Sequence, residues 1–549
     1  MSKQIVSSGS PAPLPSRWPP RRVWITLASL ATAAVLVRAE FLEPIVGSIV
    51  DQAVRNIITL ILAFSGLMSL LLWFLRESGH AKPIKQMVLG GLLGAVTVAA
   101  GTLRIERVSG DLVPEFNWRW APSRDQLLPK AEQGGNVAAA AWVAGPGDFP
   151  RFLGPAGNAA LDSPAISVAW EAEPPREIWR RSIGAGWGGF AVCAGHAVTL
   201  EQRGDEEVVA CHAVADGRPE WAVPVRGRHE TVLGGVGPRS TPTIRDGVVY
   251  ATGATGWLHA IEGATGQVLW RKNVLDDLGI DAAAHAQAVA WGRAGSPLVT
   301  ESLVIVPGGG PLGGESGGAV SLAAYDRATG ARVWQGGAEQ ISYVSPLLVS
   351  IGGRDVVLTA NEGSVAAYDP RDGRELWSFP WPGHSNSDAT CSQPHLLADG
   401  SIFISKGYGI GAAVFAPEAG SEPVRFKQAW AQPGLLKTKF TNVAIHDGHA
   451  YGLSDGILEC VRLADGKRAW KGGRYGQGQV LRVGEVLLVQ AESGDVVAVD
   501  CGPTKHVVRA RLAALSGQTW NNLAVAGDRL LVRNAEQAAC YALPLRPAR

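Results

Sequence analysis

Nine residues carry groups suited to ligand chemistry and recur at one point of an internal repeat, just before a short apolar run: Trp187, Arg239, Arg293, Tyr343, Thr390, Lys439, Gln477, Trp520 and Asn521. If the repeat winds around an axis, three cations and three aromatics converge there. Such a ring suits an anionic, planar ligand, held by charge-assisted hydrogen bonds and by stacking of a cation or ring on an aromatic face. The plainer reading is a solvated channel rim. The segment HSNSDATCSQ (384–393) adds His384 and Asp388, an acid–base pair if the side chains meet and ordinary loop polarity if they do not.

Other chemistry is thinly represented. Of the six cysteines, Cys211, Cys460 and Cys540 stand at the first position of the repeated motif described below, where a small buried residue is required, so they read as substitutes for alanine. Lying in different repeats at one radius, they are too far apart to pair. Cys193, Cys391 and Cys501 show no metal-ligand spacing, and no cluster of zinc ligands is visible along the chain. Lys and Arg total 50 against 49 Asp and Glu, which argues against a polyanion-binding field and so against nucleic acid as a partner.

The elements that would position these groups follow from the repeat. AYDRATGARVW (324–334) recurs as AIEGATGQVLW (260–270) and AYDPRDGRELW (367–377), with cysteine-led versions CHAVADGRPEW (211–221) and CVRLADGKRAW (460–470). Each copy reads as strand, tight turn, strand, with Gly217, Gly266, Gly330, Gly373 or Gly466 where the turn demands positive φ. A further hairpin precedes each copy, so the unit has four strands. Repeated radially, such units form a β-propeller, which leaves only short sheet edges. Inner strands starting near Gly188, Thr241, Ser296, Ser345, Ser392, Thr441, Gln479 and Asn521 predict eight blades, all-β, over residues 148–549. The last copy (527–543) lacks an outer strand and REIWRRSI (176–183) lacks partners, so the ring is expected to close by that exchange.

The motif Ala-x-Asp-x-x-Thr-Gly-x-x-x-Trp resembles the tryptophan-docking motif of pyrroloquinoline-quinone-like propellers, over residues 148–545. The resemblance implies that Trp221, Trp270, Trp334, Trp377 and Trp470 lock blade to blade, with Trp179 and Trp430 as less regular versions. That family includes quinoprotein alcohol dehydrogenases and also a non-enzymatic lipoprotein of the outer-membrane barrel-assembly machinery, so it fixes fold more than function. A dehydrogenase of this family implies pyrroloquinoline quinone, a calcium ion held by Glu, Asn and Asp, an Asp base and adjacent cysteines. This chain has no Cys-Cys pair, and Asp388 is the carboxylate nearest an inner-strand start. DFPRFLGPAGNAAL (148–161) is similar to the leader that precedes bacterial propellers of this class, and no chemistry is assigned to it.

Ahead of the ring, residues 1–22 read as a disordered cytoplasmic tail, and three apolar runs follow near 23–37, 57–75 and 87–103. The second and third are long enough to span a bilayer, and the first is either a third span or a signal-type segment, giving two or three transmembrane helices. Basic residues before the first run and at Arg76, Lys82 and Lys85 place those segments in the cytoplasm, and hence the propeller outside it, at an inner membrane with the ring in the periplasm. Residues 104–147 read as a connector, with Trp118 and Trp120 either anchoring at the interface or packing beneath the ring, and an Ala/Gly-rich tether at 134–147. The function expected is a membrane-anchored binding or scaffold module, non-catalytic, whose partners are the membrane, other envelope proteins or a small anion. The alternatives are a pyrroloquinoline-quinone-dependent dehydrogenase of alcohols or sugars, and an envelope or outer-membrane protein assembly factor.

Overall fold

The computed structural model describes residues 16–39, 51–131, 142–312, 318–421 and 424–546. The tail before residue 16, the segment 40–50 between the first two apolar runs and the tether up to residue 141 lie outside the described residues. The chain forms two compact units, Met1–Glu106 with Asp111–Ala121, and Arg107–Gly110 with Pro122–Arg549.

The first unit is helical: α1 (Arg21–Arg38), α2 (Gln52–Arg76) and α3 (Lys82–Thr102). Asp51 caps α2 by accepting from the Val54 amide, and a proline in the first turn of α3 sits where its missing N–H is no loss. Gly66 on α2 faces α1, where a Cβ would make ordinary van der Waals contact with Leu27 at 3.4 Å. Of the described helices, α2 and α3, of 25 and 21 residues, are long and apolar enough to cross a membrane, and both start earlier than their apolar runs because they take in charged flanks. Trp118 and Trp120 stack on each other at 5.2 Å and are both exposed.

The second unit is an eight-bladed propeller: seven four-stranded sheets and one of five strands. Blades 1 to 8 have inner strands Ala191–Cys193, Thr243–Arg245, Leu298–Val299, Leu347–Ile351, His395–Leu396, Val443–His446, Gln479–Val483 and Ala524–Ala526. The ring closes as expected, the third strand of blade 8 (Gln537–Ala542) pairing antiparallel with Arg176–Ser182 and setting Cys540 opposite Trp179. Between blades, alternate apolar residues interdigitate, as Leu358, Val365 and Trp377 of blade 4 do with Ile402, Ile404 and Ala413 of blade 5.

Each docking tryptophan spans an interface. In all but Trp377 the indole N–H donates to a carbonyl in the outer turn of the next blade: Trp179 to Val214 (2.8 Å), Trp221 to Gly263 (2.7 Å), Trp270 to Arg327 (3.0 Å), Trp334 to Pro370 (3.1 Å), Trp430 to Leu463 (2.7 Å) and Trp470 to Gly502 (2.8 Å). Its ring lies flat on the turn glycine, so a Cβ on Gly373 would come within 2.4 Å of Trp334. Blade 5 has a longer outer turn, and Trp377 instead packs on Phe426 at 4.5 Å. Blade 7 has Ala510 where the others have tryptophan.

A second ring of bonds runs around the channel at the inner-strand starts. The backbone N–H of Gly189 donates to the Thr241 hydroxyl, Thr241 to Ser296 and Ser296 to Ser345, each at 2.9 Å. Ser345 continues to Gln393 (2.9 Å), Gln393 to Asn442 (3.1 Å) and Asn442 to Gln479 (3.3 Å). The Gln479 amide reaches the Trp520 carbonyl, and Asn521 returns to the carbonyls of Gly186 and Gly188. Small polar residues recur at the strand starts because each supplies the acceptor for its neighbour's amide, which would otherwise be buried unpaired.

The leader crosses the far end of the channel. Phe149 pairs with Val192 of blade 1, Pro150 accepts from Ile244 of blade 2, and Ala160–Leu161 add a parallel strand to Gln479–Val483 of blade 7. Phe149 and Leu153 are buried there.

Candidate functional site

The channel mouth lies at the opposite end, where the inner strands begin. A short hairpin, Glu230–Thr231 with Gly235–Val236, folds over one side of it. Two glycines make that possible: a Cβ on Gly235 would meet the Trp187 indole at 2.9 Å, and one on Gly234 would collide with the Arg239 guanidinium. On the other side Gly110 sits against the Gln477 side chain, its amide donating to Glu492 (2.8 Å), which also takes the Gln477 amide (2.9 Å) and the Trp520 indole N–H (3.0 Å). Trp187, Trp520 and Phe440 form an aromatic floor, with centroids 4.7 and 4.8 Å apart.

Convergence of the sequence-derived positions is therefore only partial. Arg239 is half-buried and donates to the carbonyls of Gly237 (3.0 Å) and Gly234. Arg293 is 2% exposed and turns into blade 3, donating to Pro307 and Gly308 rather than facing the axis. Lys439 pairs with Asp455 at 3.7 Å, as Lys437 does at 3.9 Å. Tyr343 is buried, its hydroxyl donating to the Ser385 carbonyl and accepting from the Trp291 amide. Burial pushes both Arg239 and Arg293 down to about 10, and burial together with those charges pushes His229 and His285 down to about 3. Expectation and structure differ here because the ring's own carbonyl oxygens pair with the two arginines and its Asp455 carboxylate with Lys439.

Polar atoms with no protein partner remain at this end: Trp187 Nε1, Thr390 Oγ1, and both Nε2 and Oε1 of the fully buried Gln477 amide. Asp388 does not meet the His384 imidazole. It accepts from the His384 backbone N–H (3.0 Å) and pairs with the buried ammonium of Lys406 (3.4 Å). Burial, the largest single influence, would raise the Asp388 carboxyl, but the Lys406 charge and the hydrogen bonds from Ser387 and Lys406 together outweigh it and the net direction is downward.

Sequence reasoning missed four residues that shape this region. Lys406 and Arg533 are buried cations at the ends of their strands, Ile402–Lys406 and Arg529–Arg533, with Arg533 donating to Thr199, Leu200 and Gly184 at 2.7 to 2.8 Å. Glu492 gathers the mouth amides. His285 comes from an inserted pair of short helices, Val274–Leu278 and Ala282–Ala288, whose signal was the Asn273 and Asp281 caps. Blade 1 also brings His196, Cys211 and Glu220 together, the one group of three possible metal ligands among the described residues.

A family model described as "Outer membrane protein assembly factor BamB" matches residues 167–291 and 205–472, together more than half of the chain. The chain belongs to the PQQ-like β-propeller repeat family. A relative in this PQQ-like family, the outer membrane protein assembly factor BamB of Yersinia pestis, is 23% identical over 382 residues, covering 64% of this chain and 86% of that protein. Among solved structures, the quinohemoprotein alcohol dehydrogenase of Comamonas testosteroni superposes with a TM-score of 0.53 at 14% identity, covering 73% of this chain and 81% of that one. The quinohemoprotein alcohol dehydrogenase ADHIIG of Pseudomonas putida HK5 does so with a TM-score of 0.50 at 13% identity, covering 74% and 82%. At these identities the dehydrogenases share the PQQ-like fold, and the chemistry rests on the residues at the mouth.

Those residues do not fit a quinone with calcium. A hard cation needs several oxygens at one point. Here Asp388, Asp455 and Glu492 are each engaged by separate lysines or amides.

Proposed function

We propose that this chain is a membrane-anchored, extracytoplasmic propeller that works as a binding scaffold in envelope-protein assembly, and that it is not a dehydrogenase. The observation that carries this reading is the state of the mouth. Its cations are compensated by carbonyls and carboxylates of the ring itself, so a small anionic cofactor would have to displace bonds already made. What the mouth offers outward is different: half-buried rings of Trp520 and Phe440 and the exposed Val232 and Leu233 at the hairpin tip, while the unpartnered polar atoms of Trp187, Thr390 and Gln477 are buried. Aromatic and apolar groups presented together suit a polypeptide partner. The family match to an outer membrane protein assembly factor supports the same direction, and the two apolar helices support a membrane anchor in place of a lipid.

A photo-crosslinking residue placed at Leu233 in cells tests this. The expected products join the chain to proteins of the envelope, while the same probe at Arg371, on an outer turn, gives none of them. Equal labelling at both positions, or products only with cytoplasmic proteins, would remove the scaffold reading.

A further inference from the structure

Three strands of blade 1 deliver three metal-type donors to one point. His196 opens the second strand, Cys211 lies in the third opposite Trp221, and Glu220 occupies the bulge where the register slips between Cys211 and His212. His196 Nδ1, Cys211 Sγ and a Glu220 carboxylate oxygen all lie within 4.8 Å of one another. Nδ1 is 2.5 Å from Glu220 Oε2, and the thiol donates to the same oxygen at 3.4 Å. Cys211 and the Glu220 side chain are buried at 0% and 2% exposure. Trp142 stacks on the imidazole at 4.5 Å and fixes its plane.

The sister blades show that this is a departure from the template. Where blade 1 has Cys211, blades 2, 3 and 4 have Ala260, Ala324 and Ala367. Where it has Glu220, the other blades with a docking tryptophan have Leu269, Val333, Leu376, Ala429, Ala469 and Ile178, and blade 7, which lacks the tryptophan, has Arg509. Blade 6 is an internal control, because His449 and Cys460 occupy the positions of His196 and Cys211 but Ala469 replaces the glutamate. There the imidazole turns away, its Nδ1 lying 2.8 Å from the Asp447 carbonyl. A buried carboxylate beside a tryptophan staple adds nothing to blade docking, and an apolar residue serves that position in the other stapled blades.

We propose that His196, Cys211 and Glu220 bind one divalent transition-metal ion of the zinc type, with a fourth position left for water. Imidazole nitrogen, thiolate sulfur and carboxylate oxygen are the donors such an ion selects, and the two anionic ligands balance its charge in a buried place. On binding, the Cys211 proton leaves to solvent and the proton held between Nδ1 and Glu220 Oε2 passes through solvent to Nε2, so that sulfur, Nδ1 and the carboxylate oxygen each bond to the metal. Arg218 Nη2, 3.2 Å from the other Glu220 oxygen, keeps the carboxylate oriented. The ion would tie three strands of one blade together beside the leader.

Cobalt(II) titration of the full chain in detergent, after chelator and reductant treatment, tests the site. One equivalent is expected to give thiolate-to-cobalt charge-transfer absorption, which zinc abolishes by displacement. Cys211→Ala and Glu220→Leu install residues that the sister blades carry and so preserve folding, which a cooperative melt checks. The first should abolish the band, and the second should weaken cobalt binding about tenfold or more. Cys460→Ala should leave the spectrum intact. No charge-transfer band in the parent, a band that survives Cys211→Ala, a band that depends on Cys460, or unchanged affinity in Glu220→Leu would each overturn the proposal.

Discussion

Trp334 and Gly373 illustrate how single residues hold this ring together. The indole needs a flat, side-chain-free turn to lie on, and the turn needs a residue tolerant of φ 72°. Trp334→Ala should therefore destabilise the ring by about 3 to 5 kcal/mol in denaturant melts. Trp118, 51% exposed in the helical unit, should cost under about 0.5 kcal/mol when truncated. Gly373→Ala carries both a steric collision and an unfavourable φ, whereas Gly352, at φ 60° with open space around it, carries only the second. The first should cost about 3 kcal/mol and the second about 1. Similar losses from both glycines would deny the flat packing.

Buried histidines set a pH response at the same scale. Burial holds His259 and His395 down to about 4 and, with the charge of Arg293, His285 down to about 3. All three native values lie below that of an unfolded histidine, so the unfolded chain binds the extra protons. Their contribution is fully present above about pH 6.5 and is lost as pH falls towards the native values, at about 1.4 kcal/mol per unit for each. Urea midpoints should drop from pH 7 to pH 5, and His395→Phe should flatten that slope. The docking glycines and tryptophans were legible in the sequence because one local turn demands both. The bonding of Arg293 and the grouping of His196 with Glu220 were not, because their partners are set by strand register and a bulge.

At the scale of elements, the inner strands are joined by amide-to-side-chain bonds passed from blade to blade. Ser296→Ala removes the acceptor of the Thr241 amide and should cost about 1 to 2 kcal/mol, while Ser350→Ala, at the far end of an inner strand, should be nearly neutral. Four strands per unit and the exchange of Arg176–Ser182 into blade 8 could be read from the repeat, since a missing strand and an unpartnered one imply each other. The path of the leader could not. Phe149 and Leu153 look like any apolar pair until the ring supplies inner strands for their segment to cross. The two short helices carrying His285 were also hidden, because an insertion between blades has no counterpart in the repeat.

For the whole molecule, blade count and helix positions came from periodicity and hydropathy, which are global signals that survive local error. The proposed placement, with the propeller outside the cytoplasm, rests on the basic loop between α2 and α3. A reporter active only outside the cytoplasm should work when fused after residue 110 and fail when fused at residue 80, and the reverse pattern would move the propeller to the cytoplasm. The scaffold role depends on a mouth whose charges are already matched within the ring. Its most direct test is to add pyrroloquinoline quinone with calcium to the purified full chain, then follow bound-quinone absorbance and dye reduction with a panel of alcohols and sugars. No bound absorbance and no turnover are expected; a stoichiometric, calcium-dependent quinone spectrum with substrate-driven dye reduction would contradict the scaffold and establish a dehydrogenase.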